Sequence, residues 1–278
     1  MKLLLLVALA AGHAVAAGFD HAPWDRVLQA RVNALGEVDY KGLKANRQDL
    51  DEYVRRLAEA SPVSQPQRFR KREEQLAYWI NAYNAFVMRG VIDRYPTDSV
   101  RSLGFAYGFF RRKDYTAGGA KISLLDLEDD ILRKQYKDPR IHFAIVCASI
   151  SCPFLWREAF VGDKLEEQLE QAARAFVNQK RNLTINAAAN EITLGAVYGL
   201  RDYEQDFQVV AGPGGTRGTL LDYVRRYASE DHRKRLDGLK RPRIKFYEYD
   251  WSINEVGSRA KAKAPLEREL AQSLARKR

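Results

Sequence analysis

Residues 73–93, EEQLAYWINAYNAFVMRGVID, constrain the fold more than any other stretch of the chain. Read as a helix, they place Trp79, Tyr83 and Phe86 on one side and Ile80, Val87 and Val91 on another. A helix that is apolar on two sides must lie inside the molecule, so the rest of the chain has to cover it. A third stripe holds Glu74, Tyr78, Asn81, Ala85 and Met88, with Asn84 beside it. Once buried, the two asparagine amides need partners, because an unpaired buried polar group costs about 1–3 kcal/mol. Glu74 sits in the first turn, where the helix dipole favours negative charge. It is either part of a polar frame that fixes this helix or the carboxylate of a site.

The other elements are shorter. Trp24 to about Leu57 reads as helix with a break at Leu35–Tyr40, and residues 64–72 read as a loop. Tyr95-Pro96 ends the central helix. Residues 97–120 read as irregular, and their Phe105, Tyr107, Phe109, Phe110, Arg111 and Arg112 either line a cleft or pack as loop. Ser123 caps a helix running to about Gln135, with Asp126 in place of the usual Glu or Gln of a capping box. Further helices are predicted at 163–179 and 219–228, and strands at 141–147, 182–186, 190–195 and 244–251. Helices with a few scattered strands, and no regular βαβ series, make an α+β fold. The glycine-rich stretch 211–218 lacks the Gly-Lys-Ser/Thr ending of a phosphate-binding loop, which excludes a nucleotide site there.

Both cysteines lie in IHFAIVCASISCPFLW, residues 141–156. As a strand, 141–147 puts Ile141, Phe143, Ile145 and Cys147 on one face and His142, Ala144 and Val146 on the other. Cys147 then extends an apolar core face and behaves as a small hydrophobe. Cys152 precedes Pro153, and proline is favoured in the first turn of a helix, so PFLWREAF reads as a short helix with Cys152 or its neighbour at the cap. A thiol at a helix N-terminus has a lowered pKa, and a nearby His142 would activate it further. The competing reading is a Cys147–Cys152 disulfide, worth at most about 2–3 kcal/mol for so small a loop. The spacing of these residues matches no standard zinc arrangement, and neither a metal nor a cofactor is expected.

The ends of the chain point outward. MKLLLLVALAAGHAVAAG has one charge, a short apolar run and a small-residue cleavage pattern at Ala14-Val15-Ala16. It reads as a signal peptide over residues 1–16, removed near Ala16, because the apolar run is too short to span a bilayer. Nothing later is apolar enough for a membrane helix, so an exported, periplasmic or extracellular protein is expected. Of the formal charge of +10, residues 259–278 contribute seven Lys or Arg against two Glu, a net of +5. The chain therefore divides into one globular domain over 17–254 and a basic tail over 255–278. Outside the cytoplasm such a tail would meet an anionic envelope polymer, a peptide or lipid head groups, or simply remain solvated. No zinc-finger spacing or RNA-binding aromatic signature points to nucleic acid.

EEQLAYWINAYNAF, SLLDLEDDILR, KDPRIHFAIVCASISCP, VYGLRDYEQDF and IKFYEYDWSIN, in that order from about Arg72 to Asn254, together resemble the domain of unknown function 547 (DUF547) family. The resemblance implies a buried central helix packed on a small antiparallel sheet with peripheral helices, a layout similar to the papain and transglutaminase type. Carried over by role, it offers Cys152 as nucleophile, His142 as base and Glu74 as the residue that orients His142. One departure stands out: in that type the cysteine starts the central helix, where this chain has Glu73 and Glu74. The function so implied is hydrolysis or acyl transfer at an amide or thioester of the cell envelope, with Asn81 or a backbone amide holding the oxyanion. The alternative is a non-catalytic envelope-binding domain in which Cys147 and Cys152 are structural. A redox pair ranks last, because the spacing is C-x4-C rather than C-x-x-C.

Overall fold

Covering the central helix occupies most of the first half of the molecule. A computed structural model of the chain describes residues 18–104, 107–208 and 218–262. The expected signal peptide, the glycine-rich loop as far as residue 217 and the basic end from residue 263 lie outside the described residues. The first helical region breaks as predicted, into α1 (Ala22–Arg31), α2 (Tyr40–Ala45) and α3 (Gln48–Glu59). At the break Gly36 has φ +67, and a Cβ there would meet the Leu155 backbone nitrogen at 2.7 Å. Only glycine fits both conditions.

Helix α4 (Arg72–Arg94) is buried without interruption from Leu76 to Met88. Leu50, Tyr53 and Leu57 of α3, one face of that helix, pack on the same core, and Trp24 of α1 stacks on Tyr53 at 5.8 Å. Residues 97–120 are more regular than expected. They hold α5 (Gly108–Arg111) and an antiparallel hairpin, β1 (Tyr115–Ala117) and β2 (Ala120–Ile122), in the register Tyr115↔Ile122. Three-residue strands are too short to show a period of two, which is why the sequence hides them. The hairpin lies against α4 through Tyr115, stacked on Phe86 at 4.8 Å. A Cβ on Gly90 would stand 2.2 Å from the Tyr115 hydroxyl and 2.8 Å from Phe109, so this close approach requires glycine. The central helix thus packs on a small antiparallel sheet within a ring of helices, and the fold is α+β.

Ser123 and Asp126 form the reciprocal cap expected of them: Asp126 N–H donates to Ser123 Oγ at 3.0 Å, and Ser123 N–H to Asp126 Oδ2 at 3.3 Å. From there α6 (Leu124–Asp126) continues as a π-helix over Leu127–Tyr136. The next segment departs from the expectation. Residues 141–147 are not a strand: Pro139–Phe143 is a 3-10 helix, capped by the Asp138 side chain, which accepts from Arg140 N–H at 3.0 Å. An Asp cap followed by proline is a helix-start signal, and the apolar run after it masked that signal. Nor is PFLWREAF a helix. Its backbone and that of the residues flanking it are taken up by side chains instead: Arg181 donates to the Cys152 carbonyl at 3.1 Å, and Ala159 N–H to Asp25 Oδ1 at 2.9 Å. Gln168 accepts from Val161 N–H and donates to the Ala159 carbonyl, both at 2.9 Å. Backbone groups satisfied in this way need no helical ladder.

The rest of the chain builds a second core. Helix α7 (Leu165–Val177) packs with β3 (Leu183–Asn186), β4 (Glu191–Leu194), α8 (Leu220–Tyr227) and α9 (Glu230–Asp237), and β5 (Arg243–Phe246) completes the sheet. The sheet order is β3-β4-β5, with β3 antiparallel and β5 parallel to β4. Leu183↔Leu194 and Ile185↔Ile192 put the apolar residues of β3 and β4 on one face. The strand expected over 244–251 stops at Phe246, and residues 247–250 have no regular secondary structure. Residues 256 and 259, within the stretch read as tail, pack on the fold. Val256 N–H donates to the Val38 carbonyl at 3.1 Å, and Arg259 is fully buried, donating to the Ile150 carbonyl at 2.7 Å. Among the described residues no helix is long and apolar enough to cross a membrane.

Candidate active site

Both thiols, His142 and a set of aromatic side chains line one cavity of about 350 Å³ where the two cores meet. The backbone is brought there by α4. Buried Asn84 clamps the segment before Cys147: its amide donates to the Ala144 carbonyl at 2.9 Å and accepts from Val146 N–H at 2.8 Å. Ala148 turns the chain with φ +66, a left-handed conformation that is strained for alanine. The turn is then pinned to the C-terminal segment, with Asn254 N–H donating to the Ala148 carbonyl at 3.1 Å and Ile150 N–H to the Ser252 carbonyl at 2.8 Å. That same segment supplies Tyr249.

Around Cys152 the donors converge. Its Sγ accepts from Cys147 N–H at 3.1 Å and from the Ser149 hydroxyl at 3.3 Å, and the Tyr249 hydroxyl lies 3.1 Å away. Burial alone would raise the pKa of this thiol. Hydrogen bonds from Cys147, Ser149 and Tyr249 outweigh it and lower the pKa to about 6. The Cys147 thiol moves the other way, pushed up by its hydrogen bond with Cys152 and by burial. Of a coupled pair one member ionises first, and here it is Cys152. Burial and the two neighbouring sulfurs also keep Tyr249 protonated, and therefore able to donate. Both cysteines are free thiols. The donors around Cys152 come from a turn and two hydroxyls, not from the helix N-terminus expected there.

His142 enters from the 3-10 helix, its ring 4.1 Å from that of Tyr203. Its Nε2 is 2.7 Å from Asp206 Oδ2, and among the described residues Nδ1 has no hydrogen-bond partner. Partial burial would raise the Asp206 pKa, yet hydrogen bonds from His142 and from Arg133 Nε, at 2.6 Å, hold it down at about 2. Arg133 is fixed in turn by Asp129 and Asp202. The residue that orients His142 is therefore Asp206, not Glu74. The Glu74 carboxylate folds back to accept from Lys71 N–H at 3.0 Å, capping α4, and Glu74 does not line the cavity. Asn81 is absent from the lining as well, since its amide is spent on Phe160, donating to the carbonyl at 2.7 Å and accepting from N–H at 3.0 Å. It belongs to the polar frame of the central helix.

Deeper in the cavity Glu128 is buried and accepts from Tyr83 at 3.0 Å and from Tyr203. Arg201, with φ +50, lies 3.6 Å from the same carboxylate and pairs with Asp129. Of the aromatic and basic residues noted at 97–120, Tyr107, Phe110 and Arg111 line the cavity, Phe109 packs in the core and Phe105 lies outside the described residues. Glu128, Asp206 and Tyr249 were not singled out from the sequence. Each lies in a motif with several other charged or phenolic side chains, SLLDLEDDILR, VYGLRDYEQDF and IKFYEYDW, so nothing local marked it out. Among the described residues no group of three or more His, Cys, Asp or Glu could hold a metal ion. Residues 66–177 match the family model described as a protein of unknown function, DUF547. That span includes α4, both cysteines and His142, and ends before Asp206 and Tyr249. Searches of curated proteins and of solved structures gave no match.

Proposed function

We propose, from the premise that residues 66–177 of this chain belong to the DUF547 family, that the cavity is the active site of a cysteine-dependent hydrolase or acyl transferase. The observation that carries the reading is the triple set of donors around Cys152 Sγ, in a cavity also lined by a histidine whose far nitrogen is held by an ionised aspartate. That is a nucleophile, a base and an orienting carboxylate, the division of labour that thiol acyl transfer requires.

The Cys152 thiolate would attack the acyl carbon of an amide or thioester, forming a thioester to the enzyme. His142, having taken the Cys152 thiol proton, gives it to the amine or thiol that leaves as the carbon–nitrogen or carbon–sulfur bond breaks. Water, deprotonated by His142, then releases the acid; an amine or a second thiol in its place completes a transfer. Asp206 fixes the ring through Nε2 and leaves Nδ1 to carry the proton. The papain-type likeness is thus one of roles. Cys152 stands on a turn after α4 in the chain rather than at its start, and Asp206 replaces the expected Glu74.

We further propose that the chain is exported, with its leader removed near Ala16, and that its substrate is an amide or thioester of the cell envelope reached with the help of the basic end. The sequence of the two termini supports this. The test is alkylation of the purified protein by iodoacetamide across pH, mapped to each cysteine, with a panel of amide and thioester substrates run in parallel. Selective modification of Cys152 with a midpoint near pH 6, and turnover lost at least about a hundredfold in Cys152→Ala, would support the reading. A midpoint near 9 for both thiols, with no turnover of any panel member, would leave a binding domain with structural cysteines.

A further inference from the structure

The cavity has a cation that nothing in the fold accounts for. Two arginines line it, and they are not equivalent. Arg201 is occupied, lying over Tyr203 at 5.6 Å and pairing with Glu128 and Asp129. Its charge is therefore matched inside the wall. Arg111, the last residue of α5, is exposed and has no ion-pair partner among the described residues. Its neighbour Arg112 is 3.4 Å from Asp114, and Arg101 lies over the rings of Tyr107 and Trp251, so the adjacent basic side chains are engaged. Tyr107, Phe110, Leu125 and Trp251 give the cavity that Arg111 lines an aromatic and apolar share. An unpaired guanidinium at the edge of a cavity with apolar walls is free to meet an anion, and its planar fork suits a carboxylate.

We propose that Arg111 selects substrates bearing a carboxylate, seating that group at the rim while the apolar part of the substrate fills the aromatic wall and the acyl carbon meets Cys152. The inference rests on the cysteine-dependent reading of the cavity. It narrows the substrate class to acyl compounds with a free acid near the bond to be cleaved. Phosphorylated compounds share the anionic chemistry, and a comparison of carboxylated with phosphorylated substrate analogues as competitors separates the two.

A pair of small reagents tests this without a known substrate. Iodoacetate and iodoacetamide both form a sulfur–carbon bond at the Cys152 thiolate and release iodide, and they differ in one carboxylate. Because both meet the same sulfur, the ratio of their rates cancels any change in thiolate fraction or folding yield and reports the local field. Measured on the reduced full chain with site mapping, the ratio should exceed that of a free cysteine. It should fall about three- to tenfold in Arg111→Gln, be largely kept in Arg111→Lys, and decline towards the free-cysteine value as salt is raised to about 1 M. A ratio equal in wild type and Arg111→Gln overturns the proposal, as does a wild-type ratio indifferent to salt should the variant not fold. The cysteine-dependent reading fails separately. If Cys152 titrates near 9, that reading falls, while the ratio taken at about pH 9.5 still decides the role of Arg111.

Discussion

At the scale of single residues, the site turns on how one hydroxyl hydrogen is shared. The Tyr249 oxygen lies 3.1 Å from Cys152 Sγ, 3.2 Å from Cys147 Sγ and 2.8 Å from Ser149 Oγ, yet it has one proton to give. When Cys152 ionises, the sulfur bearing the charge is the strongest acceptor of the three, so the hydrogen bond goes there. With its pKa lowered, Cys152 gains thiolate as pH rises through about 6 and loses it below. Removing a donor to the anion moves the midpoint upward. Tyr249→Phe is expected to raise the apparent pKa of Cys152 alkylation by about one to two units, the value of one hydrogen bond of about 1.5–3 kcal/mol to a charged acceptor. The variant should react several-fold more slowly than wild type at about pH 6 and at least as fast at about pH 9.5. An unchanged pH profile would mean that the Cys147 amide and Ser149 suffice, and that Tyr249 serves only to fill space.

At the scale of elements, the buried asparagines of α4 explain how a helix with no catalytic side chain controls the site. Asn84 reaches across to two backbone groups of residues 144–146, immediately before Cys147. Asn84→Ala strands both groups in the core and is expected to cost about 2–4 kcal/mol, read from denaturant unfolding. It should also narrow the difference in reactivity between the two cysteines, bringing their alkylation rates closer together. A destabilised protein that retains selective Cys152 labelling would show the clamp to be structural only. The helix itself was legible because its periodicity is long and its two apolar sides leave one placement. The Ser123 cap, α7 and the β3–β4 pair were legible for the same reason, as periodic segments bounded by turn residues. The segment 139–160 was not legible. Its conformation is imposed by Asn84, Asn81, Gln168 and Arg181 from other elements, and a contact made at long range leaves no periodic mark. Cys152 and His142 could be singled out by chemistry alone. Asp206 could not be paired with His142, because 64 residues separate them and only the closed fold brings them together.

At the scale of the whole molecule, the cavity lies along the seam between the two cores, and three consecutive residues stitch that seam. Ile141 belongs to the core around α4, His142 faces the cavity, and Phe143 is buried in the second core, stacked on Phe176 at 4.5 Å and Phe207 at 5.7 Å. The 3-10 helix makes this possible, because neighbouring residues then point about 120° apart, whereas a strand would have set Ile141 and Phe143 on one face. Phe143 is thus an anchor that fixes the residue beside His142 in the second core. Phe143→Ala removes a fully buried ring and is expected to destabilise the protein by about 3–5 kcal/mol. The loss should be uneven. Hydrogen exchange read by mass spectrometry should show amides of β3 and β4 losing protection first, while those of α4 between Leu76 and Met88 keep most of theirs. Alkylation of Cys152 should remain, since its three donors come from the turn and from Tyr249, whereas turnover should fall as His142 loses its seat. Equal loss of protection in both regions would mean that the two cores unfold as one unit, and the seam would then be a feature of packing with no separate stability on either side.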